Sequence, residues 1–233
     1  MKTIIGYVNA IIYRASIKLH RLRYFLQKKL KLTKKYQPNP FDISDNSNIR
    51  DCLQRFSCID EALPNRALSC LDIGCNEGFF VFKLSERGGF CLGIDSGRNE
   101  IMTANSIKSI HNVKNTVFTN LHLNSAELKN LPSFEVIIFL SVFHHLVKNN
   151  SLEYAKDFVS EISKINRKYL IFETGQPDEE GVAWSEVLSF MLPDINDWII
   201  KMLQEAGYKN ISIIGKNKSI RSNVKRSLFL ASK

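Results

Sequence analysis

Two apolar patterns alternate along most of this 233-residue chain. Short runs in which nearly every position is apolar, such as 136–140 and 169–172, are separated by longer stretches whose apolar residues return every three or four positions. A short continuous run reads as a strand buried on both faces. The longer recurrence reads as a helix with one face against a core. Strands are therefore expected at 68–73, 90–94, near 115–118, and at 134–140, 168–172, 211–214 and 227–231. Helices are expected at 78–87, at 98–110, from a Ser151 cap to about residue 166, at 184–191, and at 195–206 with Gly207 as its stop. Strands alternating with helices predict an α/β fold whose mostly parallel sheet is covered on both faces.

The start of the chain is patterned differently. Ile4, Val8, Ile11, Ala15, Leu19, Leu22, Leu26 and Leu30 recur at helical spacing, which predicts an amphipathic helix over 3–32. Gln37-Pro38-Asn39-Pro40 breaks that pattern and opens a linker that runs on through the polar residues 42–48. A helix over 49–63 then leads to the sheet. The chain thus divides into an arm at 1–36, a linker and helix at 37–65, and a main domain at 66–233.

Charge sharpens this division. The overall net charge is +9, yet residues 1–36 hold ten Lys and Arg and no Asp or Glu. The remaining residues carry 22 basic against 23 acidic side chains, so the main domain is close to neutral. A basic amphipathic helix can lie in a membrane interface, contact nucleic-acid phosphates, or dock its stripe on its own domain. The very apolar first third of the arm favours lipid or docking, and a near-neutral domain suits a nucleic acid poorly. Contact with a membrane surface through 1–36 is therefore the favoured partner for the arm. No apolar run reaches the 18 or so residues that a spanning helix needs. The start is no convincing secretory signal, and a cytoplasmic protein, peripheral at the inner membrane face, is expected. Cys52, Cys58, Cys70, Cys75 and Cys91 show no Cys-x-x-Cys spacing and read as free core cysteines, with no metal site expected.

Candidate chemistry concentrates at 71–80, Leu-Asp-Ile-Gly-Cys-Asn-Glu-Gly-Phe-Phe, where a buried strand runs into a Gly-x-x-x-Gly turn and then a helix. Lacking a Cβ, Gly74 and Gly78 let the backbone turn sharply and approach a ligand. The next strand ends in Asp95, 21 residues after Gly74, the separation at which an acid can accept hydrogen bonds from a ribose. The loop lacks both the dinucleotide fingerprint and a triphosphate cradle. Asp72 and Glu77 disfavour phosphate, and an acid beside the turn suits a ligand bearing an ammonium group.

Together Asp72-Ile73-Gly74-Cys75-x-x-Gly78 and Asp95 resemble the cofactor motifs of class I S-adenosylmethionine-dependent methyltransferases, over about residues 66–231. The resemblance implies a Rossmann-like seven-stranded sheet with its last strand antiparallel, and S-adenosyl-L-methionine as co-substrate. It also implies that Gly74 and its neighbours Asp72, Cys75, Asn76, Gly78 and Phe79 hold the methionine part and that Asp95 holds the ribose. Ser141, at the carboxyl end of the fourth strand, joins this set. His122 falls where such proteins often place a polar residue near adenine.

The catalytic candidates are His144, His145 and Glu173. Neutral histidine can take a proton from a hydroxyl acceptor near pH 7. Glu173 ends the fifth strand and faces the same crevice. For the histidines the plain structural alternative is capping or packing; Trp184, at the same loop, could stack on a sugar or base or pack in the core, and the acidic run 178–180 reads as solvated. The sequence Phe143-His144-His145-Leu146, with the glycine loop, resembles two subgroups, the bacterial O-antigen chain-terminating methyltransferase domains and the tRNA wobble-uridine methyltransferases. The expected activity is O-methylation of a glycan or lipid-linked saccharide. The alternatives are a tRNA or small-molecule methyltransferase, and a cofactor-binding partner subunit without activity.

Overall fold

The computed structural model describes residues 37–41, 51–218 and 224–233, together with Ala15, Lys18, Leu19, Leu22 and Leu26. Those five are helical; the rest of the helix expected at 3–32, and the linker at 42–48, lie outside the described residues. No helix among the described residues is long and apolar enough to cross a membrane.

The strands are β1 (Cys70–Ile73), β2 (Cys91–Asp95), β3 (Thr116–Asn120), β4 (Phe134–Leu140), β5 (Asn166–Glu173), β6 (Asn210–Lys218) and β7 (Lys225–Ser232). They form one seven-stranded sheet in the order β3-β2-β1-β4-β5-β7-β6. Pairing is parallel from β3 through β5, and β7 runs antiparallel to both of its neighbours. The helices are α1 (Cys52–Ala62), α2 (Phe79–Ser85), α3 (Arg98–His111), α4 (Ser125–Leu128), α5 (Phe143–Asn149), α6 (Leu152–Ile165) and α7 (Ile195–Glu205), with a 3-10 helix at Glu186–Met191.

Alternation along each central strand splits the core in two. Leu71, Ile73, Ile137, Phe139, Leu170 and Phe172 share one cluster with α6, α7 and the 3-10 helix. Cys70, Val136, Ile138 and Ile171 face the other cluster, with α1, α2 and α3. Both faces of the sheet are thus covered by helices, which is why these strands read as continuous apolar runs.

Three local features depart from the expected pattern. α4 was not expected: Asn124 accepts from the Ala126 and Glu127 N–H groups while Glu127 accepts from the Asn124 N–H, a reciprocal cap that starts a one-turn helix. α5 follows β4 almost directly, through Ser141 at φ 58°. Finally, β6 and β7 are longer than the apolar runs suggest. Most of β6 is exposed or half-buried, so its length comes from pairing with β7 and leaves little apolar trace.

Candidate active site

The sheet order reverses at β1, which lies between β2 and β4, and a crevice opens there beyond the carboxyl ends of the strands. A cavity of about 610 Å³ occupies this place, with Asp72, Gly74, Asn76, Asp95 and Ser141 on its walls. Parallel pairing sets Asp72 beside Gly93 of β2 and Ile138 of β4, so the end of β1 is the floor of the crevice.

The glycine loop is built by three left-handed residues, Gly74 (φ 79°), Asn76 (φ 51°) and Gly78 (φ 84°). At Gly74 an added Cβ would meet Val142 Cγ2 at 2.5 Å, so a side chain there would have to displace Val142 and would be strained at this positive φ. Its N–H and that of Cys75 both donate to the Ile94 carbonyl, at 2.8 and 3.1 Å, which clamps the loop onto β2. Gly78 packs against Phe118 and precedes α2. Cys75 and Phe79 are core residues that shape the loop from behind and do not line the cavity.

Asp95 is fixed in place. One carboxylate oxygen accepts from the Asn76 N–H at 2.8 Å and the other from the Gly97 N–H at 2.7 Å. Each oxygen keeps a further lone pair, so two adjacent hydroxyls can still be received. Asp72 is in the opposite position. It is fully buried, and its Oδ2, like Asn76 Oδ1, has no hydrogen-bond partner among the described residues. Burial, and secondarily the charge of Asp95, pushes the Asp72 carboxyl well above the usual carboxylate range. Two buried, unsatisfied acceptors on one cavity wall suit a cationic donor.

That environment has a measurable consequence. A carboxyl raised in the folded protein favours the protonated form. Its contribution is greatest below the ordinary carboxylate value and is lost as pH rises through the raised one. A bound cation favours the ionised form, so binding should expel a proton. The heat of binding a sulfonium or ammonium ligand is expected to vary with the ionisation enthalpy of the buffer, and Asp72→Asn should abolish the variation. Heats that are identical in all buffers would contradict this role.

The paired histidines separate. His145 lines the cavity. His144 is buried, with its Nδ1 accepting from the Gly175 N–H at 2.9 Å and lying 3.3 Å from Thr174 Oγ1. Its ring packs 4.5 Å from Trp184, which is itself buried. An Nδ1 that receives an N–H carries no proton of its own, so His144 serves as an acceptor that pins the loop after β5. His122 lines the cavity near the end of β3, together with Leu121 and Leu123.

Glu173 is not on the cavity wall. It is fully buried, and Arg55 grips both of its oxygens, Nε to Oε2 at 2.7 Å and Nη2 to Oε1 at 3.1 Å. Glu173 was expected among the catalytic residues; both of its oxygens are engaged by Arg55 behind the cavity lining. The acidic run 178–180 also divides, with Asp178 and Glu180 exposed and Glu179 buried in a bidentate pair with Arg226, at 2.7 and 2.8 Å. Arg226 further donates to Ser141 Oγ at 3.1 Å, and Ser141 Oγ lies 3.2 Å from Glu173 Oε1. Two arginines and two glutamates thus form a buried, charge-balanced set behind Ser141.

Sequence reasoning missed Gln37, Arg55, Asn149 and Asn150, all of which line the cavity. Gln37 Oε1 accepts from the Phe79 N–H at 3.1 Å at the start of α2. Phe41 secures the same segment by stacking on His111 and edging onto Phe82. Gln37, at the start of the stretch read as linker, therefore forms part of the cavity wall.

A family model described as a methyltransferase domain matches residues 64–212. Among curated proteins, the O-antigen chain terminator bifunctional methyltransferase/kinase WbdD of Escherichia coli is 28% identical over 135 residues. That match covers 54% of this chain and 19% of the relative, so it spans about a fifth of the relative's length. A solved structure of the bifunctional kinase-methyltransferase WbdD superposes with a TM-score of 0.74 at 24% identity, covering 89% of this chain and 46% of that one. Magnesium protoporphyrin IX methyltransferase from Synechocystis PCC 6803, solved with bound SAM, gives 0.55 at 17% identity over 78% and 76% of the two chains. These last two likenesses speak to the fold alone.

Proposed function

The chain belongs to the methyltransferase-domain family, and from that premise we propose that it moves a methyl group from S-adenosyl-L-methionine to an oxygen of a glycan or lipid-linked saccharide. The observation that carries the cofactor half is the pairing of Asp95, anchored through both oxygens, with the buried, unsatisfied Asp72 across one cavity. Asp95 would receive the ribose hydroxyls. Asp72 and Asn76 Oδ1 would face the ammonium group, and Gly74 would let the backbone lie against the methionine part. Arg55 is the one Lys or Arg among the described residues on the wall, and with Gln37 it would hold the carboxylate. Bound there, S-adenosylmethionine supplies a methyl group on a positively charged sulfur, open to in-line attack.

The acceptor half rests on other residues that line the same cavity. His145, Asn149 and Asn150 offer polar groups suited to sugar hydroxyls, and His145 would take the proton of the attacking one. The name of the Escherichia coli relative, an O-antigen chain terminator, supports a saccharide acceptor. The near-neutral charge of residues 37–233 supports it over a nucleic acid. We take 66–233 as the catalytic domain, 37–65 as the segment completing its wall, and 1–36 as a separate arm.

Mass spectrometry of lipid-linked saccharides incubated with the protein and S-adenosylmethionine should show the gain of one methyl group. His145→Ala should lower turnover about 10²–10⁴-fold, the usual weight of a general base, with little change in S-adenosylhomocysteine affinity. His144→Ala should act on the fold instead, costing about 1–3 kcal/mol because the Gly175 N–H loses its acceptor. Unchanged turnover in His145→Ala would remove the base assignment. Methylation of tRNA in place of saccharide would move the acceptor to the other subgroup.

A further inference from the structure

Ala15, Leu19, Leu22 and Leu26 are helical and follow one another at spacings of four, three and four, so they lie along one face. The three leucines are 67%, 54% and 42% exposed. A stripe of this kind docked on the catalytic domain would be covered. In sequence it continues towards Ile4, Val8 and Ile11 on one side and Leu30 on the other, within a segment of ten Lys and Arg and no Asp or Glu.

Two partners for an uncovered leucine stripe compete. A second copy of the arm would bury the leucines but bring together ten positive charges from each chain with no acid to offset them, which like-charge repulsion opposes. An anionic lipid surface meets both features at once, because acyl chains accept the leucines while headgroups accept the cations. RNA would use the charge and leave the stripe in water. We infer that residues 1–36 dock this protein on membrane surfaces rich in anionic phospholipid, with Leu19, Leu22 and Leu26 entering the acyl boundary. This placement does not depend on the methyltransferase reading, since its readout is lipid binding.

The test is flotation of the full chain with phosphatidylcholine vesicles, made with and without phosphatidylglycerol. The expected result is flotation with the anionic vesicles only, lost between about 0.1 and 1 M salt as the charges are screened. L19E, L22E and L26E combined should lower vesicle partitioning at least about tenfold, through lost apolar burial. S-adenosylhomocysteine binding serves as the folding control and should be unchanged in that variant. Flotation that ignores lipid charge, or that survives the triple substitution, would overturn the inference. So would failure to float combined with retention on tRNA or a change in self-association.

Discussion

Glu173→Ala is expected to lower the free energy of unfolding by about 3–5 kcal/mol, the typical cost of leaving one partner of a buried ion pair behind. Glu173 is 0% exposed and sits between Arg55, at 2.7 Å, and Arg226, at 3.9 Å. Its removal takes away the acid that Arg55 grips, leaves Arg226 with Glu179, and takes a neighbour from Ser141 Oγ as well. Chemical denaturation should show the loss as a lower midpoint with an unchanged slope. Replacing Arg55 by Met together with Glu173→Ala should recover much of it, because the charge left behind is the main cost. A loss below about 1 kcal/mol, the scale of an exposed pair, would mean that the set is well solvated and does not stabilise the site.

Asp95→Ala is expected to weaken S-adenosylhomocysteine binding by about 1–3 kcal/mol, roughly 5- to 150-fold in Kd. The carboxylate does two things at once: it holds the Asn76 and Gly97 N–H groups and presents its remaining lone pairs to the cavity. Asp95→Asn should fall between wild type and Ala. An amide can satisfy one of those N–H groups, while its NH₂ opposes the other. Isothermal titration of the three proteins would order them, and equal Kd values would overturn the ribose assignment.

The parts of the fold legible in the sequence share one cause. β1, β2, β4 and β5 are central strands buried on both faces, so they announce themselves as continuous apolar runs. The Gly74 turn and Asp95 were legible because β1 and β2 are neighbours, and a loop at the end of one meets the end of the other. What could not be read depends on distant pairing. Arg55 and Glu173 are 118 positions apart, and an arginine within an amphipathic helix reads as a surface residue. Glu179 lies between two solvated acids, and nothing local marks it as the partner of Arg226. The two adjacent histidines are alike in sequence, and what distinguishes the buried one from the one on the cavity wall is contact with Thr174 and the Gly175 N–H, 30 and 31 positions away.

The central claim is that the crevice where β2, β1 and β4 end is a binding site for S-adenosylmethionine. Calorimetric titration of the full chain with S-adenosylhomocysteine tests it most directly. Saturable binding at a single site, weakened in Asp95→Ala while the fold persists, is the predicted result. The absence of any saturable heat from well-folded protein, with either S-adenosylhomocysteine or S-adenosylmethionine, would contradict it.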